Sequence, residues 1–110
     1  MRRPCRVAFV DTSTEEAYTH LRKSNDTESI FSAIERVMAI LQDNAFAGIQ
    51  IPKRLIPPAY SRQYSITNLW KYNLPHGWRL LYALETVDNQ LTAIIIEWLA
   101  HKEYERRFKY

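Results

Sequence analysis

Residues 69–99, LWKYNLPHGWRLLYALETVDNQLTAIIIEWL, decide the fold. The stretch holds three apolar runs, 69–74, 78–85 and 91–99, parted by Pro75-His76-Gly77 and by Val87-Asp88-Asn89-Gln90. Both separators have turn chemistry and are short enough to force hairpins, so the runs are antiparallel neighbours in a meander. Pairing Leu74 with Trp78 across the first turn sets Asn73 opposite Arg79 and Lys71 opposite Leu81, and cross-strand partners project to the same side. That face is polar and positive. The other receives Trp70, Tyr72, Leu74, Trp78, Leu80, Tyr82 and Leu84. On the third strand the pattern sends Ile94, Ile96 and Trp98 to the apolar side, which leaves Glu97 beside Lys71 and Arg79.

Upstream, the apolar face finds its cover. Ile30, Phe31, Ile34, Val37, Met38 and Leu41 line one stripe of a 3.6-residue period, preceded by Asp26 or Thr27 as the cap. A shorter helix before it starts at Thr12 or Ser13, with Glu16 completing a capping box, and turns Ala17, Tyr18 and Leu21 inward. It ends at the polar run Lys23-Ser24-Asn25-Asp26. Residues 5–11 suit a first strand, joined to the meander by a long crossover. Gly48 and the prolines at 52, 57 and 58 mark the intervening segment as a loop. The expected architecture is α+β, one domain over 1–110. Its order is β-α-α-β-β-β: an antiparallel sheet covered on one face by two N-terminal helices, with a short C-terminal helix or tail over 101–110.

A chain of 110 residues with 46% hydrophobic content buries a core unaided. One cysteine excludes an intrachain disulfide and fits a reducing, cytoplasmic setting; with three histidines and no paired Cys/His spacing, no structural metal site is expected. The N-terminal apolar stretch is too short for an export signal, and the run at 91–100 is about half a bilayer span. The net charge of +3 is unevenly spread: up to Gly48 there are 6 Lys/Arg against 7 Asp/Glu, and after it 9 against 5. A basic second half favours polyanionic partners, nucleic acid above all.

Glu97 has two readings, charge neutralisation on a solvated face or a catalytic carboxylate. After the third strand, His101, Lys102, Tyr104, Arg106, Arg107 and Tyr110 interleave cations and aromatic rings, the mixture that neutralises phosphates and stacks splayed bases of single-stranded RNA. The plain alternative is a helix with Tyr104 and Phe108 turned inward. Lys53 and Arg54, with Arg62, give the proline-rich loop a basic character suited to RNA.

These residues carry a resemblance. The element order, Trp70-Lys71-Tyr72, a short turn, then Gly77-Trp78-Arg79-Leu80-Leu81-Tyr82, and the terminal HKEYERRFKY together resemble the RelE/ParE superfamily of bacterial and archaeal toxins, over nearly the whole chain. The resemblance implies the toxin of a type II toxin-antitoxin system, neutralised by a cognate antitoxin protein. On the RelE side it implies a ribosome-associated endoribonuclease that cuts messenger RNA without metal or other cofactor. It assigns Lys71 as the basic strand residue, Arg79 to the transition state, and His101, Lys102 and Tyr104 to the C-terminal cluster. His101 is the side chain that titrates near neutrality, with Glu97 as its helper. Lys53, Arg54, Asn73, Lys102, Arg106, Arg107 and Tyr110 are expected to contact RNA. Asn73, where some relatives carry a second lysine, and the early position of Tyr104 are departures. Two other functions remain open: a ParE-like toxin that inhibits gyrase, and a non-catalytic RNA- or ribosome-binding module.

Overall fold

Four helices and a five-stranded sheet make up the computed structural model, which describes residues 2–24 and 28–108, with Glu28 described by its backbone alone. The elements run β1 (Arg6–Phe9), α1 (Thr12–Lys23), α2 (Glu28–Asp43), β2 (Ile49–Gln50), α3 (Pro58–Tyr64), β3 (Trp70–Asn73), β4 (Arg79–Val87), β5 (Gln90–Leu99) and α4 (His101–Phe108). Sheet order is β1-β5-β4-β3-β2. The α+β class stands, and the meander has the expected register, with Asn73 opposite Arg79 and Lys71 opposite Leu81. The second hairpin turns on Asp88 and Asn89, both at positive φ (50° and 65°), the two-residue geometry these side chains tolerate.

The sheet is mixed, not purely antiparallel. The α1–α2 crossover returns β1 to the far edge, where it lies parallel to β5 with Val7 beside Ala93. Asp11, extended at φ −157°, caps α1 by accepting from the Thr14 N–H at 2.8 Å, in place of Thr12 or Ser13. The cap expected at Asp26 or Thr27 lies outside the described residues. Ala17 is exposed, whereas Tyr18 and Leu21 pack inward.

α2 buries its stripe against the sheet, with Ile34 and Leu41 wholly enclosed among Leu80, Tyr82, Ala93 and Ile95. Each such side chain contributes about 1.5–3 kcal/mol on burial. On β5, however, the alternation breaks at a bulge beside Leu81/Tyr82: Trp98 pairs with Leu80 but Ile95 pairs with Tyr82. Ile95 and Ala93 therefore face the helices, and Ile96 goes to the opposite core; Ile94, paired with Ala83, is on that opposite side as well.

That opposite side is not an open surface. Residues 51–69, including α3, fold back across it and α4 closes over the rest. Ile51, Tyr60, Ile66, Leu69, Leu81, Ile96, Leu99, Tyr104 and Phe108 form a second core there. The segment expected to be a loop supplies β2, a 3₁₀ turn at Lys53–Leu55 and α3, whose Pro58 sits at the helix start where a missing N–H costs nothing. Among the described residues no helix is long and apolar enough to cross a membrane.

Candidate functional site

Lys71 on β3 and Arg79 on β4 leave the sheet on the face turned away from α1 and α2. The chain ends β5 at Leu99 and enters α4 at once, and the Tyr104 N–H donates to the Ala100 carbonyl at 2.9 Å. This short connection lays Tyr104 on the sheet, 3% exposed and stacked on Phe108 at 4.5 Å. Its ring meets both cations: Lys71 Nζ lies 5.1 Å and Arg79 Cζ 5.2 Å from the centroid. An aromatic quadrupole attracts positive charge, so one buried ring holds two cations that would otherwise repel each other.

Arg79 is fixed further by the turn. Its Nη1 donates to the carbonyls of Gly77 and Trp78, and its Nε–H is buried with no hydrogen-bond partner among the described residues. Gly77 has φ +80°, and a Cβ there would stand 3.0 Å from that of His101. His101 thus packs on the residue whose carbonyl holds Arg79. It is half exposed, and its Nε2 lies 3.1 Å from Glu105 Oε1 one turn along α4. Lys71, Arg79, His101 and the Tyr104 ring are brought together.

Glu97 is not in that group. It shares a rung with Leu81 and Lys71, one strand to either side of Leu81, and strand spacing sets it about 10 Å from Lys71. Its carboxylate accepts from the Tyr60 hydroxyl and from Arg107 Nη1, at 2.9 Å and 3.1 Å to its two oxygens. The carboxylate beside His101 is Glu105. Burial pushes the Tyr60 phenol up, and donation to Glu97 adds to the effect. Arg106 and Arg107 are likewise engaged internally: both clasp Glu103, and their hydrogen bonds, Arg106's foremost, hold its carboxyl down at about 2. Both side chains still reach solvent, Arg106 at 69% exposure and Arg107 at 37%. Tyr104 lies buried, its ring a platform beneath Lys71 and Arg79.

Lys53 and Arg54 stand exposed on the 3₁₀ turn, Asn73 at the end of β3 and Lys102 on α4, all open to solvent. Tyr110 lies outside the described residues. Sequence reasoning missed the groove between α3 and α4, about 490 Å³ in volume, walled by Tyr60, Gln63, Tyr64 and Arg106 with Glu97 inside. Its one advance signal is Pro57-Pro58 followed by helix-compatible residues. The chain matches no family model, no curated protein and no solved structure.

Proposed function

We propose that the chain is a RelE-type toxin: a ribosome-associated endoribonuclease acting on messenger RNA, independent of metal as the resemblance implies, and restrained by a cognate antitoxin. One observation carries the reading: Lys71 and Arg79 rest at 5.1 Å and 5.2 Å on the same Tyr104 ring, with His101 seated on the adjoining turn. Two cations converging on one spot suit a scissile phosphate, and an imidazole beside them can take up and hand on a proton.

In the proposed reaction neutral His101 takes the proton of a ribose 2′-hydroxyl as its oxygen attacks the neighbouring phosphorus. The P–O2′ bond forms and the P–O5′ bond breaks, leaving a 2′,3′-cyclic phosphate and a 5′-hydroxyl. Arg79, whose Nη2 is not held by the turn carbonyls, stabilises charge on the phosphorane oxygens. Lys71 anchors the phosphate and, as an ammonium, protonates the departing 5′ oxygen. Glu97 has no part in these steps.

The test is cleavage of a reporter message on translating ribosomes, with analysis of the product ends. Arg79→Ala is expected to lose about 100-fold or more in rate, the effect of removing one oxyanion donor, and Lys71→Ala and His101→Ala to fall alongside it. Undiminished cutting in all three refutes the assignment. Inhibition of gyrase supercoiling without RNA cleavage selects the ParE-like reading, and salt-sensitive RNA binding without turnover selects the binding module.

A further inference from the structure

We propose that the groove between α3 and α4 is a nucleobase subsite that takes a guanine of single-stranded RNA, with Tyr64 as its stacking wall and Glu97 as the acceptor that reads the base. The inference rests on the proposed action on RNA and adds to it a base preference. Three features of the groove point the same way.

The first is the carboxylate. Glu97 stands half-buried at 23% side-chain exposure inside a cavity of about 490 Å³. An ionised carboxylate only accepts hydrogen bonds and has about four lone-pair sites. Three are occupied, by the Tyr60 hydroxyl and Arg107 at Oε2 and by Arg107 at Oε1. The remaining site on Oε1 can accept one further N–H. Arg107 also holds Glu103 through Nε at 2.9 Å, so a swing toward Glu103 frees further acceptor capacity. A base edge that presents acceptors, such as the N1 of adenine, is repelled there. Guanine presents N1–H and the exocyclic N2 amine side by side.

The second feature is the set of neighbours. The Gln63 amide, one of whose N–H groups already meets the Tyr64 hydroxyl, and the Arg107 guanidinium supply donors for guanine O6, and Tyr64 supplies an aromatic face for stacking. Arg106 and Arg107 line the opening, their charges matched by Glu97 and Glu103. Burial raises both the Tyr60 and the Tyr64 phenols, and the Tyr60 O–H is already given to Glu97.

The third is location. Glu97 and Lys71 flank Leu81 on one rung of the sheet, about two strand spacings apart, roughly 10 Å. A strand of RNA with its phosphate at Lys71 and Arg79 therefore passes close to this groove, and a nearby nucleotide drops its base in.

The probes are 2′-O-methyl hexaribonucleotides, which the proposed reaction does not cut, carrying a single G, A, C or U in an otherwise uridine strand, titrated calorimetrically into the full chain. The G strand is expected to bind at least about tenfold tighter than the A strand, the discrimination of one well-placed base contact. Glu97→Gln should erase most of that ratio, Tyr64→Ala should weaken the G strand toward the others, and exposed Gln63→Ala should lower the preference a few-fold without disturbing the fold. Equal affinity for all four strands, or a preference that survives in both Glu97→Gln and Gln63→Ala, overturns the inference. So does failure to bind any strand. Cleavage is read separately: a G preference without cutting leaves this subsite standing and removes the nuclease reading, and cutting without a G preference does the reverse.

Discussion

Replacing Tyr104 separates two roles that a tyrosine at this position could play. If its hydroxyl transfers a proton, Tyr104→Phe destroys activity. If its ring is the platform on which Lys71 and Arg79 are held, Tyr104→Phe is nearly silent and Tyr104→Leu is not. The geometry favours the ring, which is 3% exposed, stacked on Phe108 at 4.5 Å, and faced by two cations at 5.1 Å and 5.2 Å. Each cation contact at a partly exposed site is worth about 0.5–1 kcal/mol, and the aromatic pair about 0.5–1.5 kcal/mol beyond its area. Leucine keeps most of the apolar bulk but loses all three, so urea unfolding should show a loss of roughly 1.5–3.5 kcal/mol. Phenylalanine keeps them and should cost no more than about 1 kcal/mol, the worth of one ordinary hydrogen bond. Cleavage on ribosomes should follow the same order, within about threefold of wild type for Phe and down by about tenfold or more for Leu as the cations lose their alignment. Loss of cutting in Tyr104→Phe at unchanged stability would refute this reasoning and return the phenol to the chemistry. So would a Tyr104→Leu protein as stable as wild type.

Three other outcomes are expected. Gly77→Ala forces a Cβ to within 3.0 Å of His101 Cβ at φ +80°, which should destabilise by about 1–3 kcal/mol and lower cleavage by displacing His101; a thermal melt and the cleavage assay read both. Gly48→Ala would bring a Cβ to 2.7 Å from the Lys71 carbonyl oxygen and against the Tyr82 hydroxyl, which donates to Ala45 and accepts from Gly48. Opening β2 from β3 should cost about 2 kcal/mol or more by denaturant titration. The third concerns acid. Glu103 has its carboxyl depressed to about 2 by Arg106 and Arg107, so its contribution is present above the ordinary carboxylate range and is lost as pH falls through about 4 toward 2. Melting points of wild type and Glu103→Gln should converge over that window, and parallel curves would contradict the pairing.

The fold was legible where local chemistry and period agreed. Alternation in 69–85 and two short turns set the register from Trp70 to Tyr82, and the stripe from Ile30 to Leu41 announced α2. The parallel pairing of β1 with β5 was not, because it joins residues over eighty positions apart and no short-range pattern records it. Nor was the bulge. Ile94, Ile95 and Ile96 are three equal side chains in a row, so the sequence does not say which one breaks step, and the second core takes Ile96 while the first takes Ile95. Residues 51–69 hid their role because two prolines that read as loop punctuation instead open α3.

The site shows the same division at the level of side chains. Strand register alone sent Lys71 and Arg79 to one face, and it also placed Glu97 on that face, on the very rung of Lys71. Register does not say which way a carboxylate leans once a helix lies over the sheet. Tyr60 and Arg107, contributed by α3 and α4, draw Glu97 away from Lys71, because a half-buried carboxylate is stabilised most by the donors that can reach it directly. The basic tail divides for the same reason. Arg106 and Arg107 find Glu103 at helical spacing and Arg107 reaches Glu97 as well, whereas His101 at the start of α4 packs on Gly77 and stays beside Arg79. One helix thus sorts the residues that the sequence presents as a single cluster. Tyr104 beneath Lys71 and Arg79 serves the proposed phosphate site, Arg107 above Glu97 serves the groove, and any change that loosens α4 must weaken both together.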